Sequence, residues 1–343
     1  MSGMDNHETV VHLIGAWALD ACSTVEEKLV ESHLGTCPAC TEEARGLREA
    51  AAGIVDDHLR PPAGARARLL SAARSRRRPA PAAPAYAAPY AAQIAALELL
   101  LSDLAPEHWR RIAADGELTV HDLLAHLAAT DGLVAAAVGV PVQPPTEPGE
   151  GAAARTAAVL RRERQRSPEQ TMRSWRAQAD AVCHALLAGH PSPGSVTVDL
   201  GWPLPLADAL TARAFEIWIH REDIAAATGR RTVTPLPEHL HPMADLAVRL
   251  LPRVTSRRVA PPLDRYVRWR LTGAGEAWTV PLHPSMPVPA VVRPAAVLTL
   301  DVVEFCRLVG GRRDPARIAV EIEGDTTLAR EVLAAAPAMA PVP

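Results

Sequence analysis

The segment that decides the fold prediction is Phe215-Glu216-Ile217-Trp218-Ile219-His220-Arg221-Glu222-Asp223. Glu216 and His220 are four residues apart, so in a helix they lie on one face, one turn from each other. The residues between them are large and apolar, which predicts a helix that is buried on much of its circumference. A carboxylate and an imidazole in an apolar interior are stable only when they are paired or bound to a metal ion. The segment therefore predicts one helix of a bundle with a polar site inside it.

A third group for this site is expected from a facing helix. His126 lies on the apolar side of a helix predicted over residues 119–139, whereas His121 is rotated off that face and is predicted to face solvent. Two imidazoles and one carboxylate leave coordination positions open, which is typical of a catalytic metal ion. Asp223 follows His220 by one turn and is placed to orient it. The spacing alone also allows a buried Glu–His pair and an unrelated core histidine.

The chain divides by composition and periodicity into four parts, and the predicted fold class is mainly α. Residues 1–75 form a small helical module, and residues 76–94 are rich in Pro and Ala, which predicts a semi-rigid spacer without a core. Residues 95–232 show helical periodicity that indicates a four-helix bundle. Residues 233–343 are predicted to form a smaller α+β domain that starts with a helix. Its predicted strands lie near residues 265–271, 277–282 and 317–323.

The N-terminal module contains a second candidate metal site. His33, Cys37 and Cys40 form an H-x3-C-x2-C motif. The two thiols of such a knuckle reach one ion, and His33 lies about one helical turn upstream. These ligands favour Zn²⁺, which requires a fourth ligand for tetrahedral coordination. His7 is the predicted fourth ligand and His12, on the same helix, is the alternative. A site closed by four protein ligands is expected to be structural.

Composition limits the classes of function. The net charge is −3 over 343 residues, which gives no electrostatic reason to expect direct binding of nucleic acid or of a membrane. The sequence shows no signal peptide and no apolar run of about 20 residues, so we expect a cytoplasmic protein. Five cysteines in such a protein favour metal or redox chemistry over a disulfide framework.

Residues 7–55 resemble the zinc-finger domain of zinc-binding anti-sigma factors. The resemblance rests on the H-x3-C-x2-C motif and on the preceding helix, Leu13-Ile14-Gly15-Ala16-Trp17-Ala18-Leu19-Asp20. It implies a sigma factor as a possible partner of residues 1–75. Redox-sensing members of that family have a cysteine as the upstream ligand, whereas His7 stands at that spacing here.

Residues 91–228 resemble the metal-binding domain of mycothiol-dependent maleylpyruvate isomerases, which share a bundle with the DinB-like thiol transferases. The matching segments are Leu118-Thr-Val-His-Asp-Leu-Leu-Ala-His126 and Ala214-Phe-Glu216-Ile-Trp-Ile-His220-Arg-Glu-Asp223. The resemblance implies a zinc ion held by His126, Glu216 and His220. It also implies mycothiol as cosubstrate and a small-molecule electrophile as substrate. The residues from about 235 onward resemble the C-terminal domain of the same family.

The resemblance implies an isomerase or thiol transferase that binds a substrate carboxylate through a cation. Arg312 and Arg270, with Arg313 beside them, are the candidates for that cation, and Asp223 completes the predicted catalytic set. The alternative function is regulatory. In it, the N-terminal module acts as an anti-sigma factor or transcriptional regulator, and the bundle acts as a sensor or scaffold.

Overall fold

The computed structural model describes residues 3–54, 65–75, 78–114, 118–147, 149–189, 194–259, 262 and 264–340. The chain forms two compact units, Met1–Arg77 and Arg78–Pro343. The first unit contains the helices α1 (Gly3–Ala18), α2 (Thr24–Leu34), α3 (Pro38–Ile54) and α4 (Ala65–Ser75). Ser23 and Glu26 form a capping box that starts α2. Ile14, Cys40 and Ala44 form the small core of this unit, and a core of this size favours a further source of stability such as a bound metal ion.

The structure differs from the predicted spacer at residues 85–94. A short 3₁₀ turn covers Ala85–Ala87, and α5 (Ala88–Ser102) begins directly after it. Pro89 is tolerated in the first helical turn because the backbone N–H groups of that turn have no intrahelical acceptor, so the absence of an N–H on proline breaks no helical hydrogen bond. Tyr90 and Ile94 are fully buried, so the C-terminal part of this segment belongs to the core. The prediction was wrong there because composition does not reveal which apolar side chains pack against other elements of the fold.

Four further helices follow: α6 (Val120–Ala137), α7 (Ala152–Glu163), α8 (Pro168–Leu187) and α9 (Leu206–Thr228). The bundle consists of α5, α6, α8 and α9, and α7 packs against α6. Both α5 and α6 pack against α8 and α9, which closes a ring of four helices. The predicted mainly α class is confirmed.

Two short strand pairs fix where the central helices begin. The pair β1 (Ile112–Ala114) and β2 (Leu118–Thr119) leads directly into α6. The pair β3 (Thr197–Asp199) and β4 (Pro203–Pro205) leads directly into α9. Each pair holds the chain just before a helix that carries candidate ligands, so it sets the position of those ligands along the bundle.

The C-terminal part is an α+β arrangement, as the sequence predicted. Its elements are α10 (Pro237–Arg258), β5 (Tyr266–Thr272), β6 (Glu276–Pro281), β7 (Ala296–Asp301), α11 (Val302–Val309), β8 (Glu321–Gly324) and α12 (Thr326–Ala335). The sheet order is β6-β5-β7-β8, with β5 and β7 parallel and the other pairs antiparallel. The inner strand β7 was not predicted, because a short apolar run cannot be assigned by periodicity alone.

The bundle and the C-terminal part share one continuous core. Arg307 of α11 forms a bidentate ion pair with Glu222 of α9, at 2.9 and 3.1 Å. Gly310, directly after α11, lies against Ile219, and a Cβ added to it would be 3.0 Å from Ile219 Cδ1. The helix that carries Glu216 and His220 is therefore covered by the C-terminal part. In the part of the chain that the structure describes, none of the helices has the length and apolar character needed to cross a membrane.

We predict that Gly324→Ala destabilises the protein more than Gly275→Ala does. Both glycines have positive φ, at +88° and +71°, so an alanine at either position costs about 1–2 kcal/mol of backbone strain. At Gly324 the added Cβ would also collide with the carbonyl oxygen of Ala295, whereas at Gly275 it would meet no atom within 4 Å. Urea unfolding of the two variants measures the difference. Equal destabilisation would contradict the β7–β8 register.

Candidate metal centres

His126 is positioned by the start of α6. The side chain of Thr119 accepts a hydrogen bond from the backbone N–H of Asp122, and the carboxylate of Asp122 accepts one from the N–H of Thr119. This capping box fixes the first turn of the helix. His126 follows within the second turn and is 5% exposed. Its imidazole therefore points into the bundle, as the sequence predicted.

Three side chains meet inside the bundle. The ligand atoms of His126, Glu216 and His220 all lie within 4.8 Å of one another. Nε2 of His126 is 2.8 Å from Oε1 of Glu216, and Nε2 of His220 is 4.0 Å from the same oxygen. The two imidazole rings are perpendicular, with centroids 5.4 Å apart. The two histidines face the same carboxylate, so neither is an unrelated core residue. Their role as metal ligands stays a prediction.

The chemistry of this group fits a divalent metal ion. Burial alone would raise the pKa of Glu216, but Arg213 and the hydrogen bond from His126 hold that pKa well below its usual range. Burial lowers the pKa of His220, and its hydrogen bond to Asp223 offsets this only in part. At neutral pH the site offers an ionised carboxylate and a neutral imidazole at His220, the forms that bind zinc. Two His and one Glu are a ligand set of catalytic zinc sites.

His220 is held from its far side by a charged pair. Its Nδ1 is 2.9 Å from Oδ2 of Asp223, which leaves Nε2 directed at Glu216. Arg312 donates two hydrogen bonds to the same carboxylate, at 3.0 and 2.6 Å, and a third to the carbonyl oxygen of Gly310. Two of the predicted catalytic residues, Asp223 and Arg312, thus lie beside the site and neutralise each other.

Glu216 is held by a buried network that sequence analysis missed. Arg213, one turn earlier on α9, donates to the second oxygen of Glu216 and, from Nε, to Oδ1 of Asp131 at 2.8 Å. The indole of Trp175 donates to the other oxygen of Asp131 at 2.9 Å. Asp131 and Arg213 are completely buried. The i,i+3 spacing of Arg213 and Glu216 was the available signal, because it places both charges on one buried face.

Other predicted residues lie elsewhere. Arg270 is on the exposed face of β5, where it pairs with Glu323 at 2.5 Å, so the structure does not bring it to the candidate site. Arg313 pairs with Glu304 of α11. His121 is half-buried rather than solvated, and its Nε2 is 2.9 Å from the hydroxyl of Thr171.

The N-terminal unit brings four ligands together. The ligand atoms of His7, His33, Cys37 and Cys40 lie within 4.8 Å of one another. Nδ1 of His7 is 3.6 Å from Sγ of Cys40 and 3.2 Å from Nε2 of His33. His12 is exposed and lies outside the group, so the geometry favours His7 of the two predicted alternatives.

The start of α3 prepares one thiol for metal binding. Cys37 directly precedes Pro38, the first residue of the helix. A hydrogen bond from the backbone N–H of Cys40 lowers the pKa of the Cys37 thiol, because it stabilises the thiolate. Burial raises the pKa of Cys40, so its thiol needs a cation to ionise. Two thiols and two imidazoles form a closed tetrahedral set, which suits a structural zinc ion.

We predict two zinc ions per chain. Cys40→Ser removes the one in the N-terminal unit, because a hydroxyl is a much weaker zinc ligand than a thiolate. His12→Ala is the matched control and retains both, since His12 lies outside the cluster. Metal analysis of the purified full chain measures the stoichiometry. Two zinc ions in Cys40→Ser would contradict the assigned ligands.

We predict that Arg213→Met costs about 3–5 kcal/mol of unfolding free energy, because it leaves buried carboxylates without their cation. It also weakens bundle metal binding by about 10–100-fold, since Glu216 loses the group that holds its second oxygen. The control is Arg249→Met, whose ion pair with Asp208 is 45% exposed on the Arg side and is expected to cost about 0–1 kcal/mol. Denaturant unfolding and metal titration measure both effects. A cost equal to that of the control would refute the network.

The comparisons with known structures give two similar chains. The crystal structure of the mycothiol-dependent maleylpyruvate isomerase is 15% identical, with a TM-score of 0.48. A point mutant of the mycothiol-dependent maleylpyruvate isomerase is 14% identical, with a TM-score of 0.49. Each match covers 71% of this chain and 94% of the other. Among curated proteins, none matches this sequence.

Two protein families match parts of the sequence. The family described as Putative zinc-finger matches residues 8–41, which include three of the four ligands of the N-terminal cluster. The family described as Mycothiol maleylpyruvate isomerase N-terminal domain matches residues 90–225, which include the three converging side chains of the bundle. The chain is therefore similar to a zinc-finger family over residues 8–41 and to the mycothiol maleylpyruvate isomerase N-terminal domain family over residues 90–225.

Proposed function

We propose that this chain is a metal-dependent enzyme that uses mycothiol to isomerise a small electrophile or to transfer the thiol to it. The observation that carries the proposal is the meeting of His126, Glu216 and His220 at one point of the bundle. The family match over residues 90–225 supports the choice of mycothiol. The N-terminal zinc-finger domain is an accessory module in this proposal.

The proposed chemistry needs a thiolate at neutral pH. A zinc ion bound by the three side chains would supply a positive charge that lowers the pKa of a nearby thiol from about 8.5. In isomerisation, the thiolate sulfur adds to one alkene carbon. The π electron pair of the double bond shifts away from that carbon to the rest of the substrate, which leaves a single bond between the two former alkene carbons. After rotation about the new single bond, the carbon–sulfur bond breaks and the thiol is returned. In transfer, the carbon–sulfur bond persists and a leaving group departs with its electron pair.

The residues of the chain have separate tasks in this scheme. Asp223 accepts the hydrogen bond from Nδ1 of His220 and so keeps Nε2 of that ring available as a ligand. Arg213 occupies one oxygen of Glu216, which leaves Oε1 for the ion. Apolar side chains form most of the wall beside Glu216 and His220, and their low polarity strengthens the electrostatic interactions at the site.

A regulatory role for residues 1–75 is the alternative function. Its predicted sigma-factor partner stays a prediction. Affinity purification of the full chain, compared with Cys40→Ser, tests it. A sigma factor retained by the wild type and lost in the variant would support the regulatory role, and its absence from both would contradict it.

We predict that His220→Ala removes the bundle zinc and lowers the rate of thiol transfer by at least about 100-fold, since loss of a ligand costs more than loss of a group that orients one. His121→Ala is the matched control, because His121 lies on a bundle helix but outside the cluster. Zinc analysis and the transfer of mycothiol to 1-chloro-2,4-dinitrobenzene measure the two effects. Full activity in His220→Ala, with the bundle metal retained, would refute the proposed function.

A further inference from the structure

A cavity of about 120 Å³ opens beside the candidate ligands of the bundle. Glu216 and His220 form part of its wall, and most of the remaining wall is hydrocarbon from the bundle and from the C-terminal part of the chain. The side chains that shape it include Trp202, Phe215, Met243, Leu250 and Met339. A substrate that reaches the candidate metal centre through this cavity must therefore place most of its surface against apolar groups.

The arginine side chains around the cavity are already paired with carboxylates. Arg312 is the only Arg or Lys that lines it within the described part of the chain, and its guanidinium is bonded to both oxygens of Asp223. On the other side, Arg213 lies between the carboxylates of Glu216 and Asp131. A divalent ion together with one thiolate would cancel the charge that remains. This balance leaves no cation for a carboxylate of the substrate.

Arg253 lies next to Trp202, one of the side chains that line the cavity. Its guanidinium carbon is 5.8 Å from the centre of the Trp202 ring, outside the cavity wall. A carboxylate inside the cavity would be desolvated without a partner, which costs several kcal/mol.

We propose that this cavity binds an uncharged apolar group of about the size of a benzene ring. The electrophile of this chain is then an apolar molecule and not a carboxylate. An apolar cavity of about 150 Å³ in another protein binds benzene, which sets the scale. This inference rests on the proposed function, because it names the substrate class for the same site.

The test compares two ligands that share one ring. Toluene and benzoate are titrated separately into the zinc-loaded full chain by calorimetry. We expect toluene to bind at least about 30-fold more tightly than benzoate, because only benzoate must bury a charge without a partner. Equal or tighter binding of benzoate would overturn the proposal, and so would the absence of toluene binding.

A matched pair of variants on α9 locates the ligand. Ala212 lines the cavity, whereas Ala226 is exposed on the same helix. Ala212→Phe fills the cavity and is expected to abolish toluene binding, and Ala226→Phe is expected to leave it unchanged. Retention of both zinc ions by Ala212→Phe shows that the variant is folded. Undiminished toluene binding in Ala212→Phe would place the ligand elsewhere and refute the proposal.

Two further outcomes separate the alternatives. Tight benzoate binding that is lost in Arg253→Ala would identify a carboxylate subsite at Arg253, beside Trp202, and would overturn the apolar substrate class. The titrations require no turnover, so they can fail while thiol transfer to another electrophile succeeds. Conversely, toluene can bind in a chain that transfers no thiol, in which case the proposed function fails and the apolar cavity stands.

Discussion

The compensation of buried charge inside the helical bundle is the constraint on which the candidate site depends. Asp131, Arg213 and Glu216 are charged groups in an interior built of Leu, Ile, Trp and Ala side chains. Each would be costly there alone. Arg213 is bonded to both carboxylates, and the remaining oxygen of Glu216 is left to face two imidazoles. The network thus fixes the orientation of the Glu216 carboxylate, a candidate metal ligand, inside the apolar core.

The C-terminal α+β part completes this site rather than standing apart from it. Arg312 balances the carboxylate that orients His220, and Gly310 allows the chain to approach Ile219 closely. Met339 covers another part of the cavity wall. The C-terminal part can complete the site because it shares one core with the bundle. Without its side chains, one wall of the cavity would be missing. Changes in the C-terminal part would therefore alter the cavity without touching the candidate ligands.

The two candidate metal centres differ in a way that their ligands explain. In the N-terminal unit, two thiols and two imidazoles offer a closed set of four ligands, and an ion bound there would join three helices around the small core of Ile14 and Cys40. In the bundle, three ligands leave a position that a thiol or a substrate can take. A structural ion and a reactive one are thus compatible with a single chain.

The sequence by itself determined the local features of this protein. Helical spacing placed Glu216 and His220 on one face, and the H-x3-C-x2-C motif specified three ligands, because both patterns act over one or two helical turns. Only the tertiary structure decided which distant groups meet. His126 is 90 residues from Glu216. His7 and His12 are separated by about 140° around one helix, so only one of them can face the thiols. In the sequence, Arg312 and Arg270 were equally good candidates for the cation that binds a substrate carboxylate. Packing directed one towards Asp223 and the other towards solvent, because the strand that carries Arg270 turns that side chain away from the core.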